Sequence, residues 1–321
     1  MLNLLIETLT GTAPYTKPLM VFFMSLQSSK MVRKNDSLSK APYNWFLSLA
    51  TVTLIAFGGG WFMGAILGRP ASFITGADVN VPLCFAAYWL TFHCPGDYFD
   101  RLSSSLPFNV VTTAYAQLFR STGMPGTIAL VSTLSTPGPY STVPLIAPIL
   151  AGAMVSNVGL IYRNGYVKHF EGGVSWQFNN GWWTSAFLHL FISDPGILGA
   201  TLRAAVMAVP YAGEVMEECE GDRTAFALSL VSAFFVVVGV LQMDEFWGAK
   251  WNPFTLFDGW LSWVLGLHGS NGRVGSGKVG KVGKVERVEK DEKKDEKRVE
   301  EEGEGKKKKK RNKGKGGVKM D

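Results

Sequence analysis

ATVTLIAFGGGWFMGAILGRP, residues 50–70, is long enough to cross a bilayer, yet it carries Gly58, Gly59 and Gly60 in a row near its middle. A glycine inside a helix costs about 1 kcal/mol relative to alanine. Three together are a poor way to build a rigid buried helix. In a membrane, small residues let a second helix approach closely, and an interrupted helix is tolerated where it lines a cavity or packs in protein. The triplet is therefore either a packing face or a kink beside a pathway.

The surrounding composition favours a membrane setting. The 321 residues are 47% hydrophobic and 18% charged, with formal net charge +6. Of the 32 Lys+Arg and 26 Asp+Glu, 19 and 11 lie in Asn271–Asp321, which leaves 13 and 15 in the first 270 residues. A nearly neutral apolar body thus precedes a highly charged tail, the pattern of a multispanning membrane protein rather than a large soluble core. Cys84, Cys94 and Cys219 form no CxxC pair and no metal-ligand spacing, so they read as neutral thiols. Met1–Leu9 is apolar but short, with Glu7 where the core of a signal peptide would continue.

Outward from the triplet, seven spans are expected. Pro14–Gln27 is the first, broken by Lys17 and Pro18, and a basic linker, Ser28–Lys40, follows. Pro42 opens the second, which Gly68-Arg69-Pro70 stops. Val79–Phe92 is the third and Pro107–Arg120 the fourth, after which the Gly-, Pro- and Ser-rich residues 123–139 end the helix. Val143–Tyr162 is the fifth, interrupted by Gly152, Asn157 and Gly159. Arg163–Trp183 reads as a connection, Pro195–Tyr211 as the sixth span with Arg203 inside it, and Thr224–Met243 as the seventh. Trp247, Trp251, Trp260 and Trp263 suit an interfacial segment over Asp244–Leu267, and the Gly/Lys/Glu tail after His268 suits disorder. The domain plan is an N-terminal segment 1–41, a channel-like body 42–267 and a tail 268–321.

Odd parity places the basic linker and the tail on one side, and the acidic Glu214–Asp222 on the other, which points to a cytosolic C-terminus. The second and fifth spans, each the middle of three, are both interrupted by glycine. Interruptions at matching positions of two halves point to a transport pathway. The fold class is an all-α membrane protein of seven transmembrane helices: two inverted three-helix repeats plus a seventh helix.

Several motifs resemble the trimeric intracellular cation (TRIC) channel family: Pro42-x-x-Trp45, Phe57-Gly58-Gly59-Gly60-Trp61-Phe62 through Arg69-Pro70, and Tyr88-Trp89-Leu90-Thr91-Phe92-His93-Cys94-Pro95-Gly96-Asp97-Tyr98-Phe99, with Asn252-Pro253-Phe254 and Asp258-Gly259-Trp260 near the end. The resemblance covers residues 42–266 and is weakest over 123–150. It implies a homotrimer with one ion path per protomer, a potassium-preferring monovalent cation current, and an endoplasmic or sarcoplasmic reticulum membrane, where that current balances calcium movement. It also implies a phosphoinositide held by a Lys and an Arg four positions later on the fourth helix. Arg120 matches the Arg, whereas Ala116 stands at the Lys position; Val155 or Ser156 stands where animal members have a fifth-helix lysine.

The residues themselves leave alternatives open. Gly58, Gly59, Gly60, Gly152 and Gly159 are pore-side kinks or close-packing positions. Asn157 offers an amide to an ion or to a neighbouring helix. Arg120 reaches a lipid phosphate or snorkels to the interface. Arg203, costly in a bilayer at about 2.5–3.5 kcal/mol, should face the protomer interior. Asp97 is placed to cap the helix after it. No catalytic set, phosphate loop or metal cluster is visible, no folded basic face suits nucleic acid, and no cofactor is expected beyond lipid. A non-enzyme follows: a cation channel first, an inverted-repeat secondary transporter as the alternative, and a structural membrane protein with a regulatory tail third.

Overall fold

The computed structural model describes residues 2–34, 45–139, 143–164, 176–243, 245–247 and 253, with side chains omitted at 72, 160–164 and 176–178. These residues fall in one compact unit, Met1–Thr255, and the second unit, Leu256–Asp321, holds none of them. The charged tail and most of the expected interfacial segment therefore lie outside the described residues.

Every regular element among the described residues is helical. In chain order these are α1 (Leu2–Thr10), α2 (Thr16–Arg33), α3 (Trp45–Leu67), α4 (Ser72–Thr75), α5 (Ala77–His93), a 3-10 turn (Pro95–Asp97), α6 (Tyr98–Ser103) and α7 (Leu106–Thr122). They continue with α8 (Met124–Leu134), α9 (Ile146–Asn164), α10 (Trp176–Ser193), α11 (Ile197–Met207), α12 (Ala212–Glu218) and α13 (Arg223–Leu241). Two of them, α3 and α13, are long and apolar enough to cross a membrane; Asn179–Ser193 with Ile197–Met207 would make a third if counted as one broken span, and Ile146–Gly159 is a shorter apolar helix. Outward-facing Ile66, Phe85, Trp89 and Val237 give the bundle an apolar exterior, which water does not favour but lipid does.

Helix ends follow local chemistry. Gly68 adopts φ +63°, and the Arg69 N–H returns to the Gly64 carbonyl at 2.9 Å, a glycine-terminated stop for α3. At the start of α13, the Asp222 carboxylate accepts the Thr224 N–H at 2.8 Å.

Four expectations are corrected. First, α2 runs on to Arg33 rather than ending at Gln27, because Ser28 and Ser29 bond back to the carbonyls of Met24 and Ser25 and stay buried among other helices. Second, α7 does end at Thr122, but 124–134 is a further helix rather than loop, and Pro125 does not prevent it. That proline sits in the first turn of α8, where a missing N–H costs nothing. Third, α3 and α9 are unbroken helices through their glycines, not interrupted spans. Fourth, the sixth span is misplaced: α11 has 11 residues and rises only about 16 Å, too short to cross. The long helix is α10, which begins inside the expected connection; Asn179, Asn180 and His189 dilute its apolar run.

Packing is set by α2, which lies against α5, α7 and α3, and by α9, which lies against α3, α10 and α8; α13 closes on α7, α10 and α1. Phe191 and Phe226 stack between α10 and α13 at 5.7 Å in the largest apolar cluster.

At one end of the bundle, Lys30 donates to the Ser103 carbonyl at 2.8 Å, and Arg33 donates to the Thr91 carbonyl and pairs with Asp97 at 2.6 Å. Asp97 therefore does not cap α6. It holds a left-handed φ of 54°, makes no side-chain cap, and gives its carboxylate to Arg33.

The thiols divide by environment. Cys94 is partly exposed, whereas Cys84 and Cys219 are buried. Burial first, then the nearby Asp222 and Glu218 charges, push the Cys219 thiol above its ordinary range. Since the thiolate is the nucleophile, maleimide at pH 7.5 should modify Cys94 promptly and Cys219 only on unfolding, as peptide mass mapping would show. Prompt Cys219 labelling would contradict this packing.

Candidate functional site: a basic cavity at a glycine crossing

Helices α3 and α9 cross at two reciprocal contacts. A Cβ built on Gly59 would lie 1.8 Å from the Val155 carbonyl oxygen, and one on Gly159 would lie 2.2 Å from the Ile55 carbonyl oxygen. Each glycine stands four residues after the residue that its opposite number touches. The crossing therefore maps onto itself when the two helices are exchanged, and the helices run antiparallel. No side chain separates the backbones there. Gly59 packs against α9 of its own chain, so the face it presents is internal to the protomer.

Beside this crossing lies a cavity of about 430 Å3. Gly59, Gly60 and Gly159 form part of its wall, together with Ser156 of α9 and Asn80 of α5. Two cationic side chains, Lys17 and Arg120, also line it, and no carboxylate is among the described lining residues. Arg120 is 8% exposed. Its guanidinium reaches Gln27 Oε1 of α2 at 3.4 Å and Gln117 Oε1 at 3.5 Å. Gly239 of α13 makes room for that glutamine, since a Cβ there would lie 2.6 Å from Gln117 Cγ. Arg120 is thus held inside the bundle rather than snorkelled to its edge.

The other sequence-derived candidates are placed as follows. Gly152 faces Ser185 of α10 and Ile128 of α8. Asn157 donates to the Ala153 carbonyl at 3.1 Å and to Ser156 Oγ at 2.7 Å, and it lies against Gly181. Gly58 is buried in α3. Arg203 lies away from the cavity, at the α10–α11 corner, where its Nη1 donates to the carbonyls of Phe191 at 3.0 Å and Asp194 at 2.8 Å. The position expected to match a family lysine, Ala116, is fully buried against Val21, Met24, Ala56 and Phe57. Lys17, Asn80 and Ser156 were not singled out as site residues by sequence. Lys17 reads there only as an interruption of an apolar run.

The chain is similar to trimeric intracellular cation channels. A solved structure of such a channel from C. elegans in the absence of Ca2+ matches with 16% identity over 74% of this chain and 95% of that one, at a TM-score of 0.49. Another, with bound Ca2+, matches with 14% identity over 72% and 90%, at a TM-score of 0.46. No protein-family model matches the chain. No curated protein sequence matches it either. At these identities and scores the likeness assigns no residue of this chain a role.

Proposed function

We propose that this protein is a homotrimeric, potassium-preferring cation channel of a reticulum-type intracellular membrane, supplying counter-ion current during calcium movement. The observation that carries the reading is the reciprocal α3–α9 crossing beside the cavity, on the helix that bears the family-like Phe57–Pro70 motif. Helices that meet by exchange-equivalent contacts and run antiparallel are what two inverted halves would produce at their shared axis. The meeting of α2 with α7, the first and fourth expected spans, fits the same exchange. In this arrangement α2, α3, α5, α7, α9 and α10 form the halves and α13 stands outside them. The C-terminus is cytosolic, on the side of Lys30 and Arg33.

The cavity's charge adds to this. Lys17 and Arg120 place two cationic groups in the cavity wall, which suits an anion there. A lipid phosphate headgroup, with phosphoinositide as the candidate, supplies that anion, and Lys17 takes the part that Ala116 cannot play.

The test is recording from purified full-length protein in planar bilayers under asymmetric potassium and sodium. Unitary potassium currents are expected. Slow, saturable, substrate-coupled flux without unitary events would replace the channel with a secondary transporter, and no flux even after removal of residues 268–321 would leave a structural role. In native mass spectrometry, Arg120→Gln and Lys17→Gln should each weaken retention of phosphoinositide but not phosphatidylcholine; unchanged retention would remove the lipid assignment.

A further inference from the structure

Helix α1 belongs to none of the expected spans, yet its C-terminal end forms part of the cavity wall through Thr10 and Gly11. The chain turns sharply there. Gly11 holds a left-handed φ of +75°, its N–H donates to the Thr8 carbonyl at 3.2 Å, and the Thr12 N–H returns to the Glu7 carbonyl at 2.9 Å. This pair of bonds is the Schellman stop of a helix on glycine. The Thr10 hydroxyl adds a bond to the Ile6 carbonyl at 2.8 Å, and the Thr12 hydroxyl one to the Glu7 carbonyl at 3.3 Å. The turn is thus a preformed unit rather than a loose linker.

That unit lies across two helices. Gly11 is buried, and a Cβ on it would lie 3.1 Å from Met20 Cε of α2 and 3.3 Å from Thr122 Cγ2 of α7. The turn is therefore in close contact with both helices at once. These helices run antiparallel, since Met20 meets Thr122, Phe23 stacks on Tyr115 at 5.2 Å, and Lys30 reaches Ser103. The level of the turn consequently separates the two cations of the cavity. Lys17 is exposed and precedes Met20 by three residues, about 4.5 Å further out along α2. Arg120 is 8% exposed and precedes Thr122 by two residues, about 3 Å further in along α7. An anion that meets Lys17 at the rim has Arg120 beyond the turn.

Attachment of α1 is one-sided. Ile6 is buried in the apolar cluster around Phe191 and Phe226, and Leu2 packs against that cluster, whereas Leu4 and Leu5 are exposed. Among the described residues, the hydrogen bonds of residues 10–13 close within residues 6–16. Packing alone joins this turn to α2 and α7. An element fixed by few buried apolar side chains opens at lower free energy than the helices around it.

We infer that α1 is a strap across the mouth of the basic cavity, and that a phosphate headgroup reaches Arg120 only when α1 lifts from α13. The inference rests on the lipid reading of that cavity.

Two measurements on full-length protein in lipid nanodiscs test it. In a Cys94→Ser background, Ser156→Cys places a thiol in the cavity wall on α9. An anionic methanethiosulfonate reports its accessibility through peptide mass mapping. Ile6 lies outside the cavity wall, so Ile6→Ala acts on access through α1 alone. It should speed modification at position 156 at least about threefold. Ile192→Ala loosens the same cluster from α10 and should leave that rate unchanged. An unchanged rate in Ile6→Ala, or an equal rise in both variants, would overturn the inference. Should Ile6→Ala not fold, Leu2→Ala takes its place with the same expectation. The second measurement follows uptake of short-chain phosphatidylinositol bisphosphate by native mass spectrometry, without the reporter thiol. Half-saturation should come at least about twofold sooner in Ile6→Ala than in the wild type, because opening precedes binding. Equal uptake times would also overturn the inference. No uptake by either protein would strike the lipid reading instead, and the thiol rates would then decide the strap.

Discussion

Gly59→Ala is expected to remove the folded protomer from detergent extracts. The added methyl would stand 1.8 Å from the Val155 carbonyl oxygen and 2.5 Å from its carbon, where a carbon–oxygen contact needs about 3.3 Å. The obstacle is backbone in the middle of α9, so no rotamer change relieves it. The helices would have to part by about 1.5 Å along their crossing, loosening the apolar layers around Ala56 and Phe57 on one side and Met63, Val131 and Ala151 on the other. Overpacking of a flexible core costs about 1–3 kcal/mol, and a backbone clash exceeds that range, against a total stability of about 5–15 kcal/mol. Gly159→Ala should fail in the same way. Since one separation of the helices relieves both contacts, the double variant should be less damaging than the sum of the two. Gly213→Ala is the control, because a Cβ there meets nothing within 4 Å and alanine favours the helix by up to about 1 kcal/mol. Fluorescence-detected size exclusion after a heat step reads all four variants. A Gly59→Ala protein that elutes and melts like the wild type would refute the crossing.

Arg203→Ala should be the next most damaging change. Helices α10 and α11 meet at 100°, and the corner is held from both sides. The Asp194 carboxylate accepts the N–H groups of Gly196 and Gly199, each at 2.9 Å, and caps the free start of α11. Arg203 returns to the carbonyls of Phe191 and Asp194 at the end of α10. Each such charge-assisted bond contributes about 1.5–3 kcal/mol. Removing the guanidinium should lower the melting temperature clearly and expose the corner to limited proteolysis. Arg203→Lys keeps the charge but not the reach to both carbonyls, so an intermediate loss is expected. Wild-type melting and digestion of Arg203→Ala would show that the corner stands without it.

How much of this was legible depends on whether a feature is local. Helices α3, α5 and α13 follow from long apolar runs and from the Gly68-Arg69-Pro70 stop. The start of α10 did not, because Asn179 and Asn180 look like loop chemistry until Asn180 is seen to be buried in the bundle. Ser28–Arg33 reads as a linker because its polarity is satisfied within its own helix and by α5 and the segment after it, which only packing reveals. At the site, the importance of small residues at 59 and 159 was visible, but their partner was not, since it is a carbonyl and carries no sequence signal. Lys17 and Arg120 are more than 100 residues apart in number, and their shared cavity is a property of the bundle alone.

The α3–α9 crossing also limits how this molecule can move. Two helices that touch backbone to backbone at paired glycines can pivot about the contact more readily than they can slide. An axial slip would carry Gly59 and Gly159 off the Val155 and Ile55 carbonyls against which only a glycine fits. Sliding of α3 along α9 is thereby disfavoured relative to rotation about the contact. Opening of the cavity is then expected from the other helices that wall it, α2, α5 and α7, turning about that contact.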